Sequence, residues 1–332
     1  MNNLSFNIPI SPIDVWGSLI AQKVLLPDSG KFTIADLTAK TNHEKHPYPL
    51  FTAIMSSRSL QDSTPWVEFT LHEVGSTYLN AYIPNWAFGR RFEKGISHKQ
   101  GFSVYPPAQP LSFFMGIWGS AIAVNLQEFI QDKFGASAGK DILNALKGSA
   151  LTENRIAAAD VFNWTYSMPG SRLSDLPKFQ LVDAGLDFNL ALPPLLRPER
   201  AIDIIIVLDA SASVVTDPAA QLKKAQEFAQ KNNLKFPIID YSITKNNCSV
   251  HYGDPQKNIP TIIYIPVLAN PGYQNGWYLD PKNSENYTST NNFIYTRDQV
   301  KQLSGLIEYT VLTSKDRIID AIKHVALEKD KS

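Results

Sequence analysis

The chain has 332 residues, 44% of them hydrophobic and 19% charged, enough apolar material for one large core or two ordinary ones. Lys plus Arg and Asp plus Glu both number 31, and zero formal charge gives no electrostatic reason to expect a nucleic-acid partner. The single cysteine, Cys248, excludes an internal disulfide and a multi-cysteine zinc site, so nothing demands an oxidising compartment.

The opening MNNLSFNIPISP has neither the basic nor the apolar region of a secretory leader. Residues 11–26 read as a helix. Ser11 can cap it, Pro12 suits its first position, and Ile13, Trp16, Ile20 and Val24 recur at helical spacing. Residues 28–49 read as a polar connector, and 50–56 and 66–71 as strands. The stretch 72–110 is rich in Gly, Pro and aromatics and reads as a structured loop region with short elements. A helix is expected over 111–134, closed by Gly135, and a second over 139–147. Its apolar run, Phe113 to Leu126, falls short of the roughly 20 residues a membrane span needs and is interrupted by Gly116, Gly119, Ser120 and Asn125. The expectation is a buried helix in a soluble, cytoplasmic protein able to touch a membrane at its periphery.

Further on, 179–183 reads as a short strand, and 201–209 as a strand buried on both faces by its nearly unbroken apolar run. A helix is expected from Asp217 to about 231, a buried strand over 260–268, and helices over 297–312 and 315–328. This order predicts an α/β fold with a parallel component. No linker separates two cores, so residues 1–330 are read as one domain.

Asp183 ends a short apolar strand ahead of Ala184 and Gly185, a position where α/β folds display functional side chains. A carboxylate there can act as a general base; it can equally support the turn by accepting local backbone N–H groups. DASAS at 209–213 resembles the metal motif of von Willebrand A-type adhesion domains. Asp209, Ser211 and Ser213 share one side of an extended segment, but a turn into the following helix accounts for the same residues. The histidines, His43, His46, His72, His98, His251 and His324, lack metal-ligand spacing, and no Ser-His-Asp triad is supported. The one G-x-S-x-G string, GASAG at 135–139, falls between the helices expected over 111–134 and 139–147 with no strand leading into it, so it does not read as a nucleophile elbow. The G-x-x-G-S pairing at 116–120 lies in a helical pattern and reads as a means of close helix packing.

Several segments, in order, resemble the cytosolic phospholipase A2-like and lysophospholipase catalytic domains. They are IDVWGSLIAQ at 13–22, YPLFTAI at 48–54, WVEFTLHEVG at 66–75, NWAFGRRFEKG at 85–95, PLSFFMGIWGSAIAVNL at 110–126 and LVDAGLDFNLALPPLLRPERAIDIIIVLDASA at 181–212. NLKFPIID at 233–240 and PTIIYIPVLAN at 260–270 complete the set. The resemblance implies a patatin-like mixed sheet flanked by helices. It also implies hydrolysis of phospholipid or lysophospholipid esters at a membrane surface by a Ser–Asp dyad, without cofactor or metal. Asp183 matches the dyad aspartate, and Arg200 a functionally implicated arginine whose guanidinium suits a lipid phosphate. In that family a glycine-rich oxyanion segment and a G-x-S-G-S nucleophile precede the region where this sequence starts. The expectation is therefore a fragment lacking the nucleophile-bearing N-terminal part. Competing explanations are a split domain completed by an N-terminal partner and a non-catalytic lipid-binding relative. The alternative from another class is the adhesion module.

Overall fold

The computed structural model describes residues 11–25, 32–41, 47–56, 64–99, 108–121, 158–277 and 294–331. Its contacts fall into two compact units, Met1–Asp187 and Phe188–Ser332.

The first unit opens with helix α1, Pro12–Val24. Its start follows from the sequence: the Ser11 side chain accepts the Asp14 backbone N–H, and the Asp14 carboxylate accepts the Ser11 N–H at 2.8 Å, a reciprocal capping box. Helix α2, Ile34–Thr41, lies inside what reads as a polar connector. The alternating segments form β1, Phe51–Ser56, and β2, Trp66–Phe69. The 72–110 region holds more order than its composition signals. β3, Glu73–Ser76, and β4, Ala81–Pro84, continue the main sheet, and β5, Phe92–Glu93, pairs with β6, Ile96–Ser97. Gly75 disguises β3 as a loop, yet it is what the sheet needs there. A Cβ at Gly75 would fall 2.0 Å from the ring of its cross-strand partner Tyr82.

Helix α3 spans Leu111–Trp118 and stops at Gly119, short of the expected end. The expected course from 122 to 134, its Gly135 cap and the helix over 139–147 lie outside the described residues. β7, Ala159–Phe162, which the sequence pattern does not flag, and β8, Lys178–Asp183, complete a sheet of order β4-β3-β2-β1-β8-β7. All its pairings are antiparallel.

One face of this sheet carries the core. Phe69 meets Phe88, Phe114 and Trp118 edge-on at centroid distances of 5.6 Å, and Phe51 stacks on Trp118 at 4.1 Å. Such pairs add about 0.5–1.5 kcal/mol each beyond the area they bury. Helices α1 and α3 pack through glycines. A Cβ on Gly17 would sit 1.9 Å from the Ser112 carbonyl oxygen, and one on Gly116 2.4 Å from that of Ile13. The small residues of the GIWGS stretch thus set a backbone-to-backbone approach. The Trp16 indole N–H donates to the Gly119 carbonyl at 2.9 Å and fixes the end of α3 against α1.

The second unit contains β9, Ile204–Asp209, then α4, Ala220–Lys231, β10, Ser249–His251, and β11, Thr261–Pro266. Helices α5, Arg297–Thr313, and α6, Lys315–Lys329, close it. The strand order is β10-β11-β9, with β11 parallel to β9 across the α4 connection and antiparallel to β10. β11 is buried throughout, as its apolar run predicts. The expectation that β9 is buried on both faces fails. β9 is an edge strand that alternates, with Ile205 and Val207 buried while Ile206 and Leu208 are 51% and 56% exposed. A run of branched apolar residues is equally available to a strand whose second face lies open, and only the strand order distinguishes the two.

Gly17→Ala and Gly116→Ala test the helix approach. Alanine adds about 1 kcal/mol of intrinsic helix propensity. The clash with backbone outweighs it, so each variant is expected to lose about 1–3 kcal/mol of unfolding free energy in urea. An unchanged or raised urea midpoint would contradict the close packing.

Candidate active site around Asp183

β8 carries Phe179, Leu181 and Asp183 on one face by the period-two alternation of a strand. Phe179 and Leu181 enter the core, so Asp183 stands at the end of the core-facing row. Its cross-strand partner on β1 is the buried Ala53. The chain then turns through a short 3-10 segment, Ala184–Leu186.

Three groups bear on the aspartate. Asp183 Oδ1 accepts the Gly185 backbone N–H at 2.8 Å, so the carboxylate does support its own turn. The Ala121 backbone N–H lies on the carboxylate's side and lowers its pKa slightly. The backbone N–H of Asp183 donates to Ser120 Oγ at 2.8 Å, and Ser120 is fully buried. The turn that ends α3 therefore acts on Asp183 twice, by backbone and by side chain. Burial pushes the Asp183 carboxyl above the ordinary carboxylate value, and the Gly185 and Ala121 N–H groups partly offset that rise. The side chain is half-buried rather than sealed. A carboxyl so raised is a better base toward a hydroxyl than a fully solvated one. Nearby, the Trp66 indole donates to Asp187 Oδ2 at 2.9 Å and ties WVEF to the LVDAGLD segment.

The sequence separates Ser120 from its partner by 63 residues, and no local pattern links them. The GxxGS spacing signals packing; the hydrogen bond to Asp183 is an additional role it does not reveal.

Arg200 lies in the second unit, at the end of the short turn Pro198–Arg200. Its backbone N–H donates to the Arg197 carbonyl at 3.0 Å, and Arg197 pairs with Glu199 at 3.7 Å.

The DASAS segment forms the turn that its residues allow. Asp209 is buried. Its Oδ1 accepts the Ser211 N–H at 2.9 Å, and its Oδ2 accepts the Tyr264 hydroxyl at 2.7 Å. Ser213 Oγ accepts from Gln221 Nε2 at 3.2 Å. These oxygens are turned to protein donors. Among the described residues, no group of three or more His, Cys, Asp or Glu side chains is placed to hold a metal. Burial, then Asp209, push the Tyr264 hydroxyl far up, so it stays a donor.

His251 meets Ser249 Oγ through Nε2 at 3.1 Å, superficially a nucleophile–base pair. The Asp240 backbone N–H, however, donates to His251 Nδ1 at 3.3 Å. In neutral imidazole the proton then sits on Nε2, which donates to Ser249 and has no lone pair to accept a proton from it. The pair is a buried structural contact. His43 and His46 lie outside the described residues.

With this geometry in place, the comparisons with known proteins are decisive. Residues 2–252 match the lysophospholipase catalytic domain family. The chain belongs to this family. It is similar to human cytosolic phospholipase A2 epsilon, 23% identical over an alignment 394 residues long that covers 96% of this chain and 44% of that protein. Its fold is similar to that of human GIVD cytosolic phospholipase A2, with a TM-score of 0.77 and 20% identity over 98% of this chain and 48% of the other. The same human enzyme in complex with methyl gamma-linolenyl fluorophosphonate gives a TM-score of 0.70 at 20% identity, over 97% and 45% of the two chains. The mixed α/β architecture is thus that of a cytosolic phospholipase A2 catalytic domain. The chain spans less than half the length of these relatives.

Two predictions follow from the site and its surroundings. Ser120→Ala leaves the buried Asp183 N–H without its acceptor and is expected to cost about 1–3 kcal/mol and to speed amide exchange at Asp183. Ser120→Thr, which keeps the hydroxyl, restores slow exchange; equal exchange in all three proteins would contradict the contact. Burial lowers the His251 pKa below the ordinary imidazole value, with Asp240 opposing. The unfolded chain then binds the proton more readily than the folded one. Stability is fully present above about pH 6.5 and falls as the pH drops below it. A His251→Asn variant is expected to lose this part of the acid dependence of the urea midpoint, and a variant that acid-denatures as wild type does would refute it.

Proposed function

We propose that the chain provides the general base of a phospholipase A2- or lysophospholipase-type acyl hydrolase, with residues 1–330 forming one part of a single catalytic domain. The observation carrying this reading is the half-buried Asp183 carboxyl, raised in pKa and clamped at the end of β8, in a chain of the lysophospholipase catalytic domain family. Asp183 takes the proton of a serine hydroxyl as the serine oxygen attacks the ester carbonyl and the carbonyl π electrons move to oxygen. Collapse of the tetrahedral intermediate breaks the ester C–O bond, and the leaving alkoxide takes the proton back from Asp183. Water then repeats the sequence on the acyl-serine, releasing fatty acid. No metal or cofactor enters these steps.

By the family resemblance the serine belongs to a G-x-S-G-S motif, which these 332 residues do not contain. The reading therefore places the nucleophile and oxyanion donors on a further, N-terminal segment of the domain, joined or separately supplied. Arg200 is proposed to hold the lipid phosphate, a role that suits its forked donors. The cytosolic character of the relatives supports action on the cytoplasmic side of a membrane.

The test is hydrolysis of phosphatidylcholine and lysophosphatidylcholine. The chain alone is expected to release no fatty acid. Joined to the family's nucleophile-bearing segment, it is expected to turn over and to lose about 10²–10⁴-fold of that activity on Asp183→Asn. A folded, active protein indifferent to Asp183→Asn would overturn the assigned role.

A further inference from the structure

The hairpin that follows the Asn85–Ala87 turn carries chemistry that the hydrolytic reading does not use. Between Asn85 and Lys99 stand Arg90, Arg91, Lys94 and Lys99 against the single acid Glu93, in a chain whose basic and acidic residues total 31 each. The hairpin is held firmly. Phe92 is buried beneath it, the Lys94 N–H donates to the Tyr166 carbonyl at 2.8 Å, and Asn85 Nδ2 donates to the Thr70 carbonyl at 2.8 Å. Lys94 and Gly95 both have positive φ, +51° and +79°, the paired left-handed conformation of a tight two-residue hairpin turn, which puts Lys94 at the tip.

Register sorts the side chains. Phe92 pairs with Ser97, and Glu93 with Ile96; the His98 N–H donates to the Arg91 carbonyl. Alternation then places Arg91, Glu93, Ile96 and His98 on the face opposite Phe92. On that face Ile96 is 67% exposed. Just upstream Trp86 is 54% exposed, with the Arg90 guanidinium 4.7 Å above its ring. Trp86 lies beside Arg90, and Ile96 beside Arg91 and the tip residue Lys94, with Glu93 the one acid on that face and 3.9 Å from His98. An exposed indole and a branched alkyl group set among such charges are poorly suited to water. They are well suited to a surface with an anionic boundary and an apolar interior. There the indole and alkyl groups enter the headgroup layer while the cations meet phosphate and carboxylate.

We propose that this side of the hairpin, Trp86 with Arg90, Arg91, Lys94 and Ile96, docks the protein on an anionic lipid surface. The proposal rests on the reading of the chain as a lipid hydrolase and names the surface by which it meets its substrate phase. Exposed Ile96 favours lipid over a purely charged polyanion.

The test is co-sedimentation of the full chain with phosphatidylcholine vesicles, with and without phosphatidylserine. Binding is expected only with phosphatidylserine and is expected to weaken as salt rises. Arg91→Glu and Lys94→Glu should each lower the partition coefficient at least roughly fivefold, the weight of one basic residue at such a surface. Trp86→Ser with Ile96→Ser should lower it further at unchanged thermal stability. No binding by the wild-type chain, binding insensitive to salt, or equal binding by these variants would each overturn the proposal. So would a wild-type dimer that these substitutions dissociate without any vesicle binding, since the face would then belong to a second copy. Asp183→Asn keeps vesicle binding whether or not the hydrolytic reading holds. In the protein joined to the nucleophile-bearing segment, loss of vesicle binding leaves Asp183-dependent cleavage of a monomeric ester intact, so the two failures can be told apart.

Discussion

The hydrogen bond from the Asp183 backbone N–H to Ser120 Oγ joins the two parts of the first unit that matter for chemistry. It connects the end of a sheet strand to the end of the helix lying across that sheet. The Ala121 N–H, next along the chain from Ser120, adds a smaller influence that lowers the carboxyl's pKa. The aspartate is thus neither a loose surface acid nor a sealed core one. It keeps enough burial to hold its proton more tightly than a solvated carboxyl and enough fixed N–H donors to remain ionisable.

That junction depends on packing further back. Helix α3, which leads into Ser120, lies close against α1, and that approach requires that Gly17 and Gly116 lack side chains. The Trp16 indole bonds the Gly119 carbonyl and sets where α3 ends. The aromatic cluster of Phe51, Phe69, Phe114 and Trp118 holds the helix over the sheet. Small residues for close approach, large ones for burial and one hydroxyl at the helix end act on the same carboxylate.

Much of this was legible in the sequence where the signal is local. The Ser11 cap, the Pro12 start and the helical spacing of Ile13 and Trp16 marked α1, and unbroken branched residues marked β11. The carboxylate at a strand end and the family segments singled out Asp183. Long-range consequences were not legible. Composition hid β3 and β4, because the glycine that makes room for Tyr82 also mimics a loop. An edge strand and a central one share the apolar run of β9, so the exposure of Ile206 and Leu208 needed the strand order. Ser120 was read as a packing residue because nothing near it in sequence indicates an amide 63 residues away. Of the two readings of Asp183, turn support is observed in the Gly185 N–H that its carboxylate accepts; the base role stays a proposal, and the half-buried position at the strand end leaves it open.

The account stands or falls on the state of one carboxyl group. Carbon-13 NMR titration of the Asp183 side chain in the intact chain measures it directly. The account predicts a midpoint above the ordinary aspartate value of about 3.9. A midpoint at or below that value would mean a solvated or wholly backbone-neutralised acid, and would contradict its role as a poised base.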